Sequence, residues 1–336
     1  NKKIGLVFPD YFEVDSHGKV INRIKRNKFN QKNNLLDFPA HGACTLFKRK
    51  IYNKTEGYNS KIKAQDGYDI WLKIIKKFDV RSVNKPLFFY RQHQNNLTKN
   101  IKNILDNRYK ILENQSEIIN NSKTLAFIPI LENEEKKLFC LNKFQGKKLI
   151  DITLDKVLKS KKINQICVST NSLNLIKYLS SKKKLKNKIT IHIRNKKKLY
   201  NLTNALYDFL KKNNNKIFKN IAILTTEYPL TTKYELDAAI NSLNIFNATA
   251  VESVVNLNNI FYYNSKNGMK IWGNKILKKE RDNIYIRKGG ITILEKKEFL
   301  KSKKIIKKKK LAHLLIHPVA SLNYQEIIEY NKILNK

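Results

Sequence analysis

Glycine, proline and cysteine are scarce in this chain, at 10, 6 and 3 of 336 residues. Beside a hydrophobic content of 41%, that scarcity excludes a collagen-like or low-complexity chain and leaves apolar mass for packed cores. The cysteines, Cys44, Cys140 and Cys167, are odd in number and form no Cys-x-x-Cys pair. This argues against a disulfide scaffold and a structural zinc site, and predicts a reducing, cytoplasmic setting. No apolar run approaches the roughly 18 residues that a membrane span needs. No signal peptide is visible, and Asn1 leads almost directly into the strand-like Ile4–Phe8, so the chain is expected to begin inside a larger protein.

Acidic residues are the other scarcity: 27 Asp and Glu face 68 Lys and Arg, for a net charge of +41. Such a balance first suggests a nucleic acid or an anionic membrane. Only nine of the basic residues are arginine, however. Readers of bases and phosphates lean on the planar, bidentate arginine fork. Lysine spread along the whole chain, beside abundant Asn and Ile, reads instead as compositional bias with general solubility. The run Lys303–Lys310 is dense enough to meet phosphate groups, although such runs are most often solvated faces. No specific nucleic-acid partner follows, and a non-catalytic polyanion-binding module stays open as an alternative.

The length predicts about two domains at roughly 150 residues each. In residues 1–98, short strands surround one helix. Ile4–Phe8 reads as a buried strand, and His17-Gly18-Lys19 as the turn of a hairpin between Tyr11–Val14 and Val20–Ile24. Ile70, Trp71, Ile74 and Ile75 have helical spacing within Asp69–Phe78. Strands at Val80–Val83 and Leu87–Tyr90 flank Pro86. An amphipathic helix over residues 99–120 ends at the polar linker Asn120–Lys123. Beyond it, strand and helix patterns alternate: 125–131, 149–159, 165–169, 173–179, 189–193, 202–212, 220–225 and 233–243. Further strands are expected at 250–255, 284–286 and 290–294, and a helix at 324–334. The alternation predicts an α/β fold with a doubly wound, mainly parallel sheet, whose ligands sit at the carboxyl ends of its strands.

Two constellations carry chemistry. The first is Ala64-Gln65-Asp66-Gly67-Tyr68-Asp69-Ile70-Trp71, preceded by the small-residue turn His41-Gly42-Ala43 and followed by Tyr90-Arg91-Gln92-His93. Asp69 is placed to cap a helix starting at Ile70, which leaves Asp66 free for other work. Trp71 reads as core. In order and spacing these pieces resemble the C-terminal half of a family 2 glycosyltransferase of the GT-A fold, over roughly residues 4–98. The resemblance implies that Asp66 is the general base for an acceptor hydroxyl. It further implies that His41, Gly42, Asp69 and Arg91 border the acceptor and leaving diphosphate, and that His93 approaches a divalent metal, Mg²⁺ or Mn²⁺. The family's donor-binding βαβ half and its Asp-x-Asp motif would precede Ile4; Asp10 and Asp15 do not replace them.

The second constellation is a series of short motifs after residue 123. These are Gly146-Lys147-Lys148-Leu149-Ile150, Val168-Ser169-Thr170-Asn171-Ser172, Pro229-Leu230-Thr231-Thr232 and Arg287-Lys288-Gly289-Gly290-Ile291. They resemble, in order, Gly-Lys-Pro-Leu-Ile, Val-Ser-Thr-Asp-Ser, Pro-Leu-Arg-Thr and the Asn-Gly-Ala strand of the cytidylyltransferases that activate sialic and related acid sugars with CMP. The resemblance implies that Lys137, Thr170 and Asn171 border the nucleotide. The family's glycine-containing phosphate loop reads here Leu131-Glu132-Asn133-Glu134-Glu135-Lys136-Lys137, where three carboxylates would repel a triphosphate. Its late Asp-x-Asp, which holds Mg²⁺, reads Ser321-Leu322-Asn323.

The chain is therefore expected to join a partial GT-A domain, residues 1–120, to a diverged cytidylyltransferase-like domain, residues 123–336. Its function is expected to be sugar transfer from a nucleotide-sugar donor to a glycan or lipid-linked acceptor in surface polysaccharide synthesis. Peripheral contact with the inner face of the membrane would fit such an acceptor. The alternative enzyme is an active CMP-acidic-sugar cytidylyltransferase.

Overall fold

The computed structural model describes residues 4–25, 44–94, 96, 100–117, 123–132, 139–182, 185, 187–213, 217–257, 261–265, 268–271, 284–306 and 311–334. The chain divides into two units, residues 1–111 with 254–286, and residues 112–253 with 287–336. Among the described residues no helix is long and apolar enough to cross a membrane.

The first unit is built on β1 (Ile4–Val14), which pairs antiparallel with β2 (Val20–Ile24) and β3 (Leu46–Phe47). The expected hairpin is present: Asp15 Oδ1 accepts the backbone N–H of His17 and of Lys19, both at 2.9 Å. After the short α1 (Arg49–Tyr52) comes α2 (Asp66–Ile75), which begins a turn earlier than the expected Ile70 start. Its N-cap is Gln65, so Asp69 lies inside the helix and does not cap it. Trp71 is core, 1% exposed and edge-on to Phe8. The two strands expected around Pro86 are one, β4 (Asp79–Arg91), parallel to β1. Proline has no N–H for a ladder, and the register slips where Asp10 faces Pro86, so the strand passes the proline through an irregularity. Among the described residues β4 pairs only with β1. The long helix α3 (Ile101–Glu117) follows.

The second unit holds a seven-stranded sheet with helices between its strands. Its elements begin with β5 (Thr124–Ile130), the small hairpin β6 (Lys143–Phe144) and β7 (Lys147–Lys148), α4 (Leu149–Lys159), β8 (Ile163–Thr170) and α5 (Leu173–Ser181). They continue through β9 (Ile189–Ile193), α6 (Leu202–Lys212), β10 (Asn220–Leu224), α7 (Lys233–Ile245) and β11 (Ala250–Leu257). The hairpin of β12 (Tyr262–Ser265) and β13 (Gly268–Ile271) belongs to the first unit, and the second continues with β14 (Ile284–Glu295), α8 (Lys296–Ser302), β15 (Leu311–Leu315) and α9 (Tyr324–Leu334). The sheet order is β15-β11-β14-β10-β5-β8-β9. Strands β10, β5, β8 and β9 run parallel, and β14 runs antiparallel to β10. The fold is thus mixed α/β with a mainly parallel central sheet, as the alternation predicts. The break expected between 286 and 290 is a bend within a single strand, because Gly289 and Gly290 take positive φ of 82° and 64° in succession. The β12–β13 hairpin, α8 and β15 were not anticipated.

The core of this unit lies between the sheet and its helices. Leu125, Phe127, Cys167, Ile221 and Ile223 meet Leu206, Phe209 and Leu210 of α6. Phe209 is 1% exposed, and its ring packs against Phe127 at 5.9 Å and His192 at 5.7 Å between centroids. Removing so large a buried ring leaves a cavity as well as losing its burial. Phe209→Ala is expected to lower unfolding free energy by about 3–5 kcal/mol, read by denaturant titration.

Candidate nucleotide site

The carboxyl ends of β5, β8, β9 and β10 and the bend of β14 border one edge of the sheet, the edge at which open parallel sheets take their ligands. Arg194 follows β9 directly, and its backbone N–H donates to Thr170 O at 2.8 Å, so it extends the β8–β9 ladder to that edge. Its residue exposure is only 3%. The side chain is held by a buried chain of polar groups. Arg194 Nε donates to Ser169 Oγ at 2.8 Å, Ser169 Oγ lies 2.8 Å from His192 Nδ1, and His192 Nε2 lies 2.9 Å from Asp208 Oδ2 on α6. Lys212 then pairs with Asp208 at 2.7 Å.

The protons of this chain follow from its ends. A guanidinium only donates, so the Ser169 hydroxyl gives its own proton to His192 Nδ1. His192 then carries its hydrogen on Nε2 and donates it to Asp208. Burial, outweighing the pull of Asp208, holds His192 below its usual pKa and keeps it neutral. Burial works to raise Asp208, but hydrogen bonds from Lys212 and His192 keep it below the usual carboxylate value. The guanidinium itself is pulled by burial down to about 10. Its Nη2 is buried and has no hydrogen-bond partner. Among the described residues no carboxylate pairs with Arg194.

Thr170 and Asn171 act on backbone. Thr170 is fully buried, and its Oγ1 accepts the Ser172 N–H at 3.1 Å. Asn171 grips Glu132, accepting its N–H at 2.8 Å and donating to its carbonyl at 2.7 Å. It therefore fixes where the segment after β5 departs from the sheet. Residues 133–138, with Lys137 among them, lie outside the described residues.

On the other side of β5, Thr225 donates its N–H to Gly290 O at 3.1 Å, beside the bend of β14. A Cβ on Gly290 would stand 2.2 Å from Thr225 Oγ1, so only glycine lets the two strands approach this closely. Ser253 Oγ donates to Lys288 O and accepts the Ile291 N–H, which stitches the bend in place. Lys288 leaves the bend to pair with Glu326 in the first turn of α9. Arg287 pairs with Glu252 at 3.0 Å.

A further cation arrives from α4. Lys156 is 6% exposed, and its ammonium donates to Thr231 Oγ1 and reaches Tyr228 O at 3.5 Å. Thr231 is the position where the resembled Pro-Leu-Arg-Thr carries arginine. Burial, only partly offset by Glu235, takes Lys156 from its usual 10.5 down to about 8.

In the first unit, Asp66 is exposed in the first turn of α2. Asp69 is 2% exposed and pairs with Lys73 at 2.7 Å, whose ammonium also donates to Gly57 O at 2.8 Å. Its carboxylate is thus committed within the protein and is not presented to a diphosphate. Arg91 and His93 are exposed at the end of β4, in a turn held by buried Asn96, which accepts the His93 N–H at 3.1 Å and donates to Arg91 O at 3.2 Å. His41 and Gly42 lie outside the described residues. Among the described residues no group of three or more His, Cys, Asp or Glu side chains is arranged to hold a metal ion.

Arg194 and Lys156 are absent from the residues singled out by motif. A signal existed for each. Arg194 is one of nine arginines and directly follows the third strand of the alternation. Lys156 is a charged residue flanked by Leu154 and Val157 on the buried face of its helix.

The family model described as cytidylyltransferase matches residues 137–332. No curated protein matches the chain. Among solved structures, the fold is similar to 4-diphosphocytidyl-2C-methyl-D-erythritol synthase from Anaerococcus prevotii, at 14% identity and a TM-score of 0.50, over 66% of this chain and 99% of that one. A further similar structure is a CMP:2-keto-3-deoxy-manno-octonic acid synthetase complexed with CTP, at 10% identity and a TM-score of 0.47, over 64% of this chain and 98% of that one.

The burial of Lys156 makes a pH prediction. Its folded pKa lies below its unfolded value, so the unfolded chain holds the extra proton between about 8 and 10.5. Its share of stability is present in full above that window and is lost as pH falls through it. The stability of the wild type minus that of Lys156→Met is therefore expected to rise from pH 8 to 10, measured by denaturant titration at each pH.

Proposed function

The chain belongs to the cytidylyltransferase family, and from that premise we propose that its second unit binds CTP and transfers the cytidylyl group to an acidic sugar. In that reaction a sugar hydroxyl oxygen attacks the α-phosphorus, the bond to the β-phosphate oxygen breaks, and pyrophosphate leaves while the hydroxyl proton passes to solvent. The observation that carries the reading is Arg194. Arg194 follows β9 at the carboxyl edge of the sheet; its guanidinium is buried, oriented through Ser169, His192 and Asp208, with an Nη2 that has no hydrogen-bond partner. An arginine prepared in this way is fitted to an oxygen of a nucleotide. Lys156 and Lys288 add positive charge around the β10–α7 loop and the bend of β14, where a triphosphate needs it. The lysine-rich surface favours approach of so anionic a ligand.

The full chain with CTP and candidate acidic sugars is expected to release pyrophosphate and to unfold at a higher temperature with CTP present. Arg194→Met is expected to weaken CTP binding about ten- to a hundredfold, the scale of one charged hydrogen bond. A thermal shift without pyrophosphate release would make the unit a nucleotide-binding module instead. Neither signal would remove the reading.

For the first unit the proposal remains glycosyl transfer, with Asp66 taking the proton of an acceptor hydroxyl as the nucleoside diphosphate leaves the sugar. It is supported by the exposure of Asp66 at the helix start, while neighbouring Asp69 is occupied by Lys73. Asp66→Asn in the full-length protein is expected to abolish sugar transfer at unchanged thermal stability. Retained transfer would end this assignment.

A further inference from the structure

The late metal position of the resembled cytidylyltransferases falls on Ser321 and Asn323, and these residues do not fit a divalent cation. Mg²⁺ demands roughly six oxygens in octahedral order and favours carboxylates among them. Here the side-chain oxygens of Ser321, Asn323 and Glu326 already have protein partners. Ser321 Oγ donates to Pro318 O at 2.6 Å. Asn323 Oδ1 accepts the Glu326 N–H at 2.9 Å, and Glu326 Oε2 accepts the Asn323 N–H at 2.8 Å, the reciprocal pattern of a capping box at the start of α9. The remaining carboxylate oxygen, Glu326 Oε1, is taken by the ammonium of Lys288. Burial works to raise Glu326, but the bonds from Lys288 and the Asn323 N–H hold it below the usual carboxylate value. A cation thus already sits against Glu326, the carboxylate that caps the helix at Asn323. A second, doubly charged cation there would meet its repulsion.

We infer that the second unit handles its nucleotide without a divalent cation at Ser321–Asn323, and that Lys288 supplies the positive charge at that place. The geometry prepares Lys288 for this. Its carbonyl is held by Ser253, and the following Gly289 and Gly290 take φ of 82° and 64°. At a φ of 82° a larger residue at Gly289 is strained, and its Cβ would also displace Ile316 Cδ1, 2.3 Å away. The half-buried ammonium has one carboxylate partner and two further hydrogens for phosphate oxygens. An ammonium binds phosphate as a compact point charge, without the coordination geometry a metal imposes.

The role of Lys288 rests on the CTP reading above; the absence of a metal there does not, and the test separates them. The full chain, stripped with EDTA and titrated with Mn²⁺ alone, is expected to show no stoichiometric binding by electron paramagnetic resonance. The variant carrying Ser321→Asp, Asn323→Asp and Lys288→Asn is expected to acquire a bound Mn²⁺. One Mn²⁺ bound tightly by the wild type and lost in Glu326→Gln would overturn the inference, whatever CTP does. In the second arm, the thermal shift with CTP is expected to be equal in EDTA and in excess Mg²⁺. Lys288→Met is expected to weaken CTP binding about ten- to a hundredfold in EDTA, and Lys288→Arg to retain it. A CTP shift that vanishes in EDTA would overturn the inference. A shift absent under both conditions would overturn the CTP reading and the role of Lys288 with it, leaving the Mn²⁺ titration to decide the metal question.

Discussion

A guanidinium is costly to remove from water, and Arg194 is removed from it almost completely. Its charge stays on, since even after burial its pKa lies near 10. The protein answers with a directed chain of hydrogen bonds. Ser169 on β8, His192 on β9 and Asp208 on α6 each occupy one link, and Lys212 anchors the far end. The chain ties two neighbouring parallel strands to the helix behind them and fixes the orientation of the arginine. Phe209, one residue after Asp208, packs its ring against His192, so the apolar core and the polar relay share a wall. A buried polar network of this kind imposes one orientation because any other leaves more groups unpaired.

Around that edge the chain departs from the resembled motifs. Threonine replaces arginine at position 231, and an ammonium reaches its hydroxyl from α4. Lysine replaces asparagine ahead of the Gly289–Gly290 bend, and its partner is the glutamate that caps α9. Where the motif has two carboxylates for a metal, Ser321 and Asn323 are bound into local backbone structure. A serine and an asparagine do not replace carboxylates as ligands of a hard cation, whereas an ammonium nearby meets the same need for positive charge.

The alternation of strands and helices after residue 123 was readable because each element repeats a local period. The elements 149–159, 189–193, 202–212 and 324–334 coincide with their expected bounds. The failures had local causes too. Pro86 looks like a strand break, but a register slip against Asp10 carries the strand past it. Gly289 and Gly290 look like a loop, but β14 runs through them and its ladder with β10 starts at Ile291. In the first unit, the acidic pair around Gly67 was seen as one cap and one free carboxylate. The helix starts a turn earlier, which buries Asp69 against Lys73 and leaves Asp66 exposed in its first turn.

Motif spacing points to Thr170 and Asn171, whose hydrogen bonds go to backbone, a role that spacing cannot distinguish from ligand contact. Sequence by itself determined the doubly wound α/β architecture, the absence of a disulfide framework and the likeness to a cytidylyltransferase, since periodicity, composition and short motifs are local properties. The tertiary structure alone decided which of many basic residues are desolvated. Arg194, Lys156 and Lys288 become distinct from the solvated lysines only when strands and helices far apart in sequence close around them. Burial, not charge, is what gives each of them a directed role.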